Sequence, residues 1–260
     1  MHPIICLGLL LILILGLPLL GLLLSGHSIP NHLTLLPIPT KAGIESFSWL
    51  VCGLLTALVS LTLIPVIYLF FQKPDFTEPK SSQTADFPWW GWIAFFWTVG
   101  AWILAWTRFS WFEPWQPHTF PLLWFGYILL LNALTYQRSR QCLFLDRPRF
   151  LGQLFLLSAG FWWAFEYLNQ YVNNWHYVNL PESNHLEYSW YISIAFSTVL
   201  PAVVSTYDWL ATFPKLTQPF ASRYSLPWIT SQETGWMLLT LGTLGLGLIG
   251  IWPTLLFPLL

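Results

Sequence analysis

Glu166, Asn169, Gln170 and Asn173 recur at i, i+3, i+4 and i+7, so a helix places all four on one face. A carboxylate beside three carboxamides can hold a cation, relay a proton or serve as a general acid, and His176 follows within a turn. The same face can also do no more than lock a helix into a bundle. The surroundings raise the stakes. Trp162, Trp163, Phe165 and Tyr167 flank the carboxylate, and Trp175 and Tyr177 follow it. A charge held at the centre of a bilayer costs roughly 2.5–3.5 kcal/mol on insertion scales, so one that is kept marks a candidate site.

The elements that would carry this face are membrane helices. The chain has 260 residues, of which 55% are hydrophobic and 8% charged. An ordinary soluble domain is about 25% charged, so this chain cannot cover a water-facing surface. Its 18 Trp and 10 Tyr supply the amphipathic rings that favour the headgroup region. A transmembrane helix needs about 20 mostly apolar residues. Such stretches occur at 4–24, 47–71, 89–107, 119–136, 150–171, 188–210 and 234–251. The expected fold class is therefore all-α, a polytopic transmembrane bundle of seven helices forming one integral membrane domain over residues 1–260. Thr230-Ser231-Gln232-Glu233 reads as a capping box opening the seventh helix. The first stretch lacks the basic residues that precede a secretory signal, so it is expected to be retained.

Basic residues alternate between loops. Lys73, Lys80, Arg138, Arg140, Arg147, Arg149, Lys215 and Arg223 lie in the second, fourth and sixth connections, and only Lys41 and Arg108 lie in the others. Cytoplasmic loops carry the excess of Lys and Arg. The expected location is thus a cytoplasmic membrane, the bacterial inner membrane, with the N-terminus inside and the C-terminus outside. The connections are too short to hold a soluble domain.

On this topology Glu166 lies roughly 24 Å from the inner end of its helix at 1.5 Å per residue. Arg108, just past the third helix, falls at a similar outer depth, so an ion pair or shared network with Glu166 is expected. Glu166, Asn169, Gln170, Asn173, His176 and Arg108 together define a candidate polar pocket open to the outside.

Ser189, Ser193, Ser197, Pro201, Ser205 and Asp208 form a stripe on the sixth helix. Pro201 should kink it by removing a backbone donor and freeing the Ser197 carbonyl. Close packing and a broken-helix binding site both fit that stripe. Asp208 falls near the cytoplasmic interface and is expected to meet Arg138 or Arg140, with Asn132 and Tyr136 nearby. Thr240, Thr243, Gly247 and Gly250 make a small-residue face on the seventh helix, suited to the rest of the bundle or to another membrane subunit. The apolar end at 252–260 would need the membrane interface, a partner or a longer chain to cover it.

Cys6, Cys52 and Cys142 show no paired spacing, and five of the six histidines fall in the outer loops without metal-ligand spacing. No metal and no cofactor is expected. There is no phosphate-binding loop, dinucleotide fingerprint or nucleophile elbow, and nothing points to nucleic acid.

Trp163, Glu166, Tyr167, Asn169, Trp175, Tyr177 and Pro181 resemble a pattern in uncharacterised multi-pass bacterial membrane proteins, a family that implies no activity. More loosely, an acidic helix, an aromatic loop and a Pro-bearing helix resemble the membrane-embedded lycopene cyclase domains. Their Pro-x-Glu-Glu signature is replaced here by Pro201-Ala202-Val203-Val204, which removes the expected acid catalyst. The function expected first is a structural or accessory membrane component. The alternatives are a small-molecule or ion transporter and a lipid- or isoprenoid-modifying enzyme with Glu166 as general acid.

Overall fold

The computed structural model describes residues 3–26, 49–71, 85–172, 174–175, 185–214, 216 and 231–252. Those residues form helices and connections, with no strand among them. The helices are α1 (Pro3–Leu24), α2 (Trp49–Phe71), α3 (Trp89–Trp106), α4 (Thr119–Ser139), the single turn α5 (Leu143–Asp146), α6 (Pro148–Val172), α7 (His185–Ser197), α8 (Val199–Ala211) and α9 (Ser231–Ile251). A 3₁₀ segment, Ser110–His118, leads directly into α4. Pro148 opens α6 at the position where its missing N–H costs nothing. Three helical stretches are long and apolar enough to cross a membrane: Ser110–Ser139, Ser189–Ala211 and Gln232–Ile251. Asn173, His176, Tyr177, Pro181, Thr230, Lys215 and Arg223 lie outside the described residues, as do Lys41, Lys73 and Lys80.

The chain divides into two compact units. The first holds α1, α9 and residues 163–172 of α6. Its core is Leu22, Tyr167, Leu168, Tyr171, Val172 and Ile249. Glycine sets how near α1 and α9 come. A Cβ on Gly250 would lie 2.1 Å from the Pro18 carbonyl oxygen, and one on Gly21 would lie 2.4 Å from the Gly247 carbonyl oxygen. Pro18 cannot donate within α1, which loosens the ladder around it. The Leu15 carbonyl there accepts a 2.9 Å bond from the Tyr167 hydroxyl.

The second unit holds α3, α4, α5, α8, most of α7 and residues 148–162 of α6. Its main seam pairs α3 with α4. The buried face of α3 is Gly91, Ala94, Thr98 and Ala101, spaced three, four and three. A Cβ on Gly126 of α4 would come within 2.7 Å of Thr98 Oγ1. Small residues thus let two backbones close on each other, as membrane helices do in the absence of a hydrophobic drive. The bulky rings turn outward: Trp89, Trp92, Phe96, Trp102 and Trp106 are all exposed. On α2, Leu50, Leu54, Leu61, Ile64 and Phe71 are exposed around the helix.

Candidate functional site

The Glu166 face sits at the end of α6. Glu166 is 3% exposed, and its Oε1 accepts a 3.1 Å bond from the Trp175 indole Nε1. Asn169 secures the same turn. Its Oδ1 accepts from the Asn174 and Trp175 amides at 2.8 and 3.1 Å, while its Nδ2 donates to the Trp175 carbonyl at 2.7 Å. One carboxamide therefore satisfies three backbone groups where the helix stops, a common role for Asn at chain reversals. Gln170 is half-buried beside them. Opposite, the Tyr167 and Tyr171 hydroxyls meet at 2.5 Å, within the core of the first unit. Of the pocket residues expected from sequence, Glu166, Asn169 and Gln170 share this helix end. Asn173 and His176 lie outside the described residues, and Arg108 is exposed just past α3 in the second unit.

The sixth apolar stretch is broken, at Thr198 rather than at Pro201. Thr198 N–H reaches back three residues to the Ala195 carbonyl, and Ala202 N–H returns to the Thr198 carbonyl at 3.0 Å. A neighbouring helix repairs the gap. Ser158 Oγ of α6 donates to the Phe196 carbonyl at 2.5 Å and accepts from Leu200 N–H at 3.0 Å. Ser158 and Thr198 are both fully buried. Apolar surroundings tolerate a broken helix only where a neighbour re-satisfies the freed groups, and Ser158 does so here.

Asp208 lies nearly three turns beyond the break. The expectation that it meets Arg138 or Arg140 is corrected: its carboxylate pairs with Arg147 at 3.6 Å. Arg138 is held elsewhere. Its Nε donates to Thr212 Oγ1 at 2.9 Å, and its guanidinium lies 3.8 Å from the centre of the Phe213 ring. A hydrogen bond and a cation–π contact together outweigh a reach toward Asp208.

Around Asp208 the second unit has a cavity of about 280 Å³, lined by Thr135, Ser139, Cys142, Asp146, Arg147 and Asp208 among others. Asn132, one turn before Thr135 on α4, ties α4 to α5 and α8. It is 2% exposed, its Nδ2 donates to Ser205 Oγ at 3.0 Å, and its Oδ1 accepts from the Phe144 amide at 2.9 Å. Asp146 Oδ2 accepts from Cys142 N–H at 2.6 Å, closing the single turn of α5. Burial pushes the Cys142 thiol above its ordinary pKa, and the Asp146 charge adds to that rise. Arg140 ends α4 in the left-handed region, φ 62°, and so turns the chain toward this cavity wall.

Sequence reasoning missed this cavity. Its signal was the polar run Gln141, Cys142, Asp146 and Arg147 in a short connection, which Asn132 holds through the Phe144 amide. It also missed the α3 seam, since the Trp and Phe residues between Gly91 and Ala101 mask a regular small-residue spacing.

Comparison of the chain with protein-family models, with curated proteins and with solved structures finds no match.

Proposed function

We propose that this chain is a multi-pass integral membrane protein of a cytoplasmic membrane, a structural or accessory component whose seven spans place the N-terminus inside. The carrying observation is the inverted distribution of its side chains. Asn132, Ser158, Glu166, Thr198 and Ser205 are buried, whereas large apolar residues cover α2, α3 and the first turns of α9. In water that exterior would be a large aggregation surface. In lipid it is the expected one, and the Asn132–Ser205 and Ser158 bonds become interhelical bonds worth about 0.6–2 kcal/mol each. The Lys and Arg alternation supports the orientation.

The accessory reading is favoured over transport or a lipid-modifying enzyme because the Glu166 carboxylate accepts a bond from Trp175 and Asn169 spends its carboxamide on backbone. Both are groups a ligand would need. The Thr240, Thr243, Gly247 and Gly250 face is the proposed contact with other membrane subunits. Thr240 is exposed on it, while the Gly250 end is taken up by α1. Glu166→Gln and Glu166→Ala distinguish the readings. A packing role predicts that Gln, which still accepts from Trp175, keeps the membrane level of the protein while Ala lowers it. Unchanged levels for both variants would contradict that role.

A further inference from the structure

The 3₁₀ segment Ser110–His118 joins α3 to α4 at one end of an antiparallel pair. Trp97 Nε1 donates to the Leu122 carbonyl, and Ala85 N–H donates to the Gln137 carbonyl at the opposite end. Gln116 fastens the joined end. It is buried, and its Nε2 donates to the Leu104 and Ala105 carbonyls at 2.9 and 2.8 Å. Both are acceptors that the last turn of α3 would otherwise leave over. A 3₁₀ segment turns every three residues, so holding Gln116 inward sends its neighbours out. Trp111 and Trp115 are 69% and 64% exposed, and Trp106 at the end of α3 is 75% exposed. Helix α7 reaches the same level. Its Tyr191 hydroxyl donates to the Pro117 carbonyl, the Tyr191 ring meets His118 edge-on at 4.7 Å, and Trp190 beside it is exposed. Arg108 and Glu113 are exposed in the same band.

Helix length sets the depth of that band. The 21 residues of α4 rise about 32 Å at 1.5 Å per residue, against a hydrocarbon core of about 30 Å. Helix α4 alone therefore uses the core, and Ser110–His118 falls beyond it. The far end of the pair has its own aromatic set, with Trp89 exposed and Trp90 packed against Tyr136, and Arg138 and Arg140 follow there. Trp and Tyr at both ends of a core-length helix are what the two membrane–water interfaces select.

We propose that Ser110–His118 is an interfacial anchor that lies in the phospholipid headgroup layer, with Trp106, Trp111, Trp115 and Trp190 seated among the headgroups, and that it sets the depth of the α3–α4 pair. Each indole brings an apolar body for the acyl boundary and one N–H donor for a headgroup oxygen. Exposed rings from three elements at one level match a plane, which is the shape a lipid surface offers. The proposal rests on the membrane placement given above.

The test uses the full chain in phosphatidylcholine nanodiscs, with Cys6, Cys52 and Cys142 changed to Ser and one spin label at Glu113→Cys or Leu122→Cys. Collisions with oxygen and with a water-soluble nickel chelate report depth. The Leu122 label is expected in the hydrocarbon and the Glu113 label in the headgroup layer. Changing Trp106, Trp111 and Trp115 together to Ala should move the Leu122 label by about 2 Å or more, beyond the 1.5 Å rise of one residue. The same three changed to Tyr, which keeps an amphipathic ring, should leave it in place. A Glu113 label in bulk water, in the hydrocarbon, or shielded from both relaxants as beneath another protein would overturn the anchor, as would equal effects of Ala and Tyr. If circular dichroism shows that the Ala variant misfolds, the depth of the Glu113 label decides. A Leu122 label in water contradicts the membrane placement itself and the anchor with it, whereas Leu122 in lipid with Glu113 outside the headgroup layer contradicts the anchor alone.

Discussion

Ser158 Oγ sits 3.0 Å from the Leu200 amide and, at 2.5 Å, on the Phe196 carbonyl, so one hydroxyl of α6 bridges the gap between α7 and α8. Its removal takes from the Phe196 carbonyl and the Leu200 amide the partner that α6 supplies. Each buried unsatisfied group costs about 1–3 kcal/mol. Ser158→Ala should lower the midpoint of unfolding in a denaturing-detergent titration and speed hydrogen exchange at Leu200, with Ser193→Ala as a control. Ser193 Oγ donates to the Ser189 carbonyl of its own helix, so its loss should cost less.

Asn132 joins three elements through Ile128, Ser205 and Phe144. Asn132→Leu keeps volume but strands the Phe144 amide and the Ser205 hydroxyl. Destabilisation of about 1–3 kcal/mol is expected, against less than half of that for Ser205→Ala, which leaves the α5 amide satisfied. Equal effects would show that the Phe144 bond contributes nothing.

Gly250→Leu should separate α1 from α9, since even a Cβ there would fall 2.1 Å from the Pro18 oxygen. A Cβ on Gly245 meets nothing within 4 Å, so Gly245→Leu should be tolerated. Thermal unfolding of the two variants gives the comparison. A Gly250→Leu protein as stable as Gly245→Leu would contradict the α1–α9 packing.

Cys142 should alkylate slowly at neutral pH, because its thiol is held protonated by burial and then by the Asp146 charge. With the folded pKa above the ordinary value of about 8.5, the folded state binds the extra proton. The associated stability is present below that ordinary value and is lost as pH rises through the folded one. Iodoacetamide labelling followed by mass spectrometry should give a rate midpoint above that of the unfolded chain. Asp146→Asn should lower it only in part, since burial is the larger cause.

The helical segments were legible because period and length act locally: an uninterrupted apolar run such as Leu7–Leu24 has few alternatives to a helix. The turn end that Asn169 secures was half legible, since spacing put Glu166 and Asn169 on one face but could not show that Trp175 folds back onto both. The sixth stretch shows the limit. Pro201 announced a disturbance, yet the break falls at Thr198, where Ser158 supplies partners from a residue 42 positions away from Leu200. Asp208 was read correctly as an end-of-helix group and given the wrong partner, because Phe213 and Thr212 hold Arg138. Long-range partners of this kind leave no periodic trace.

The central claim is the membrane topology, and accessibility of engineered cysteines tests it most directly. Glu113 and Ser139 are both exposed, at opposite ends of the helical stretch Ser110–Ser139. Single cysteines would replace each in turn, in a chain whose Cys6, Cys52 and Cys142 have been changed to Ser. A membrane-impermeant maleimide on intact cells should label Glu113→Cys at once, and Ser139→Cys only after the membrane is permeabilised. Equal labelling of both in intact cells, or the reverse order, would contradict the account.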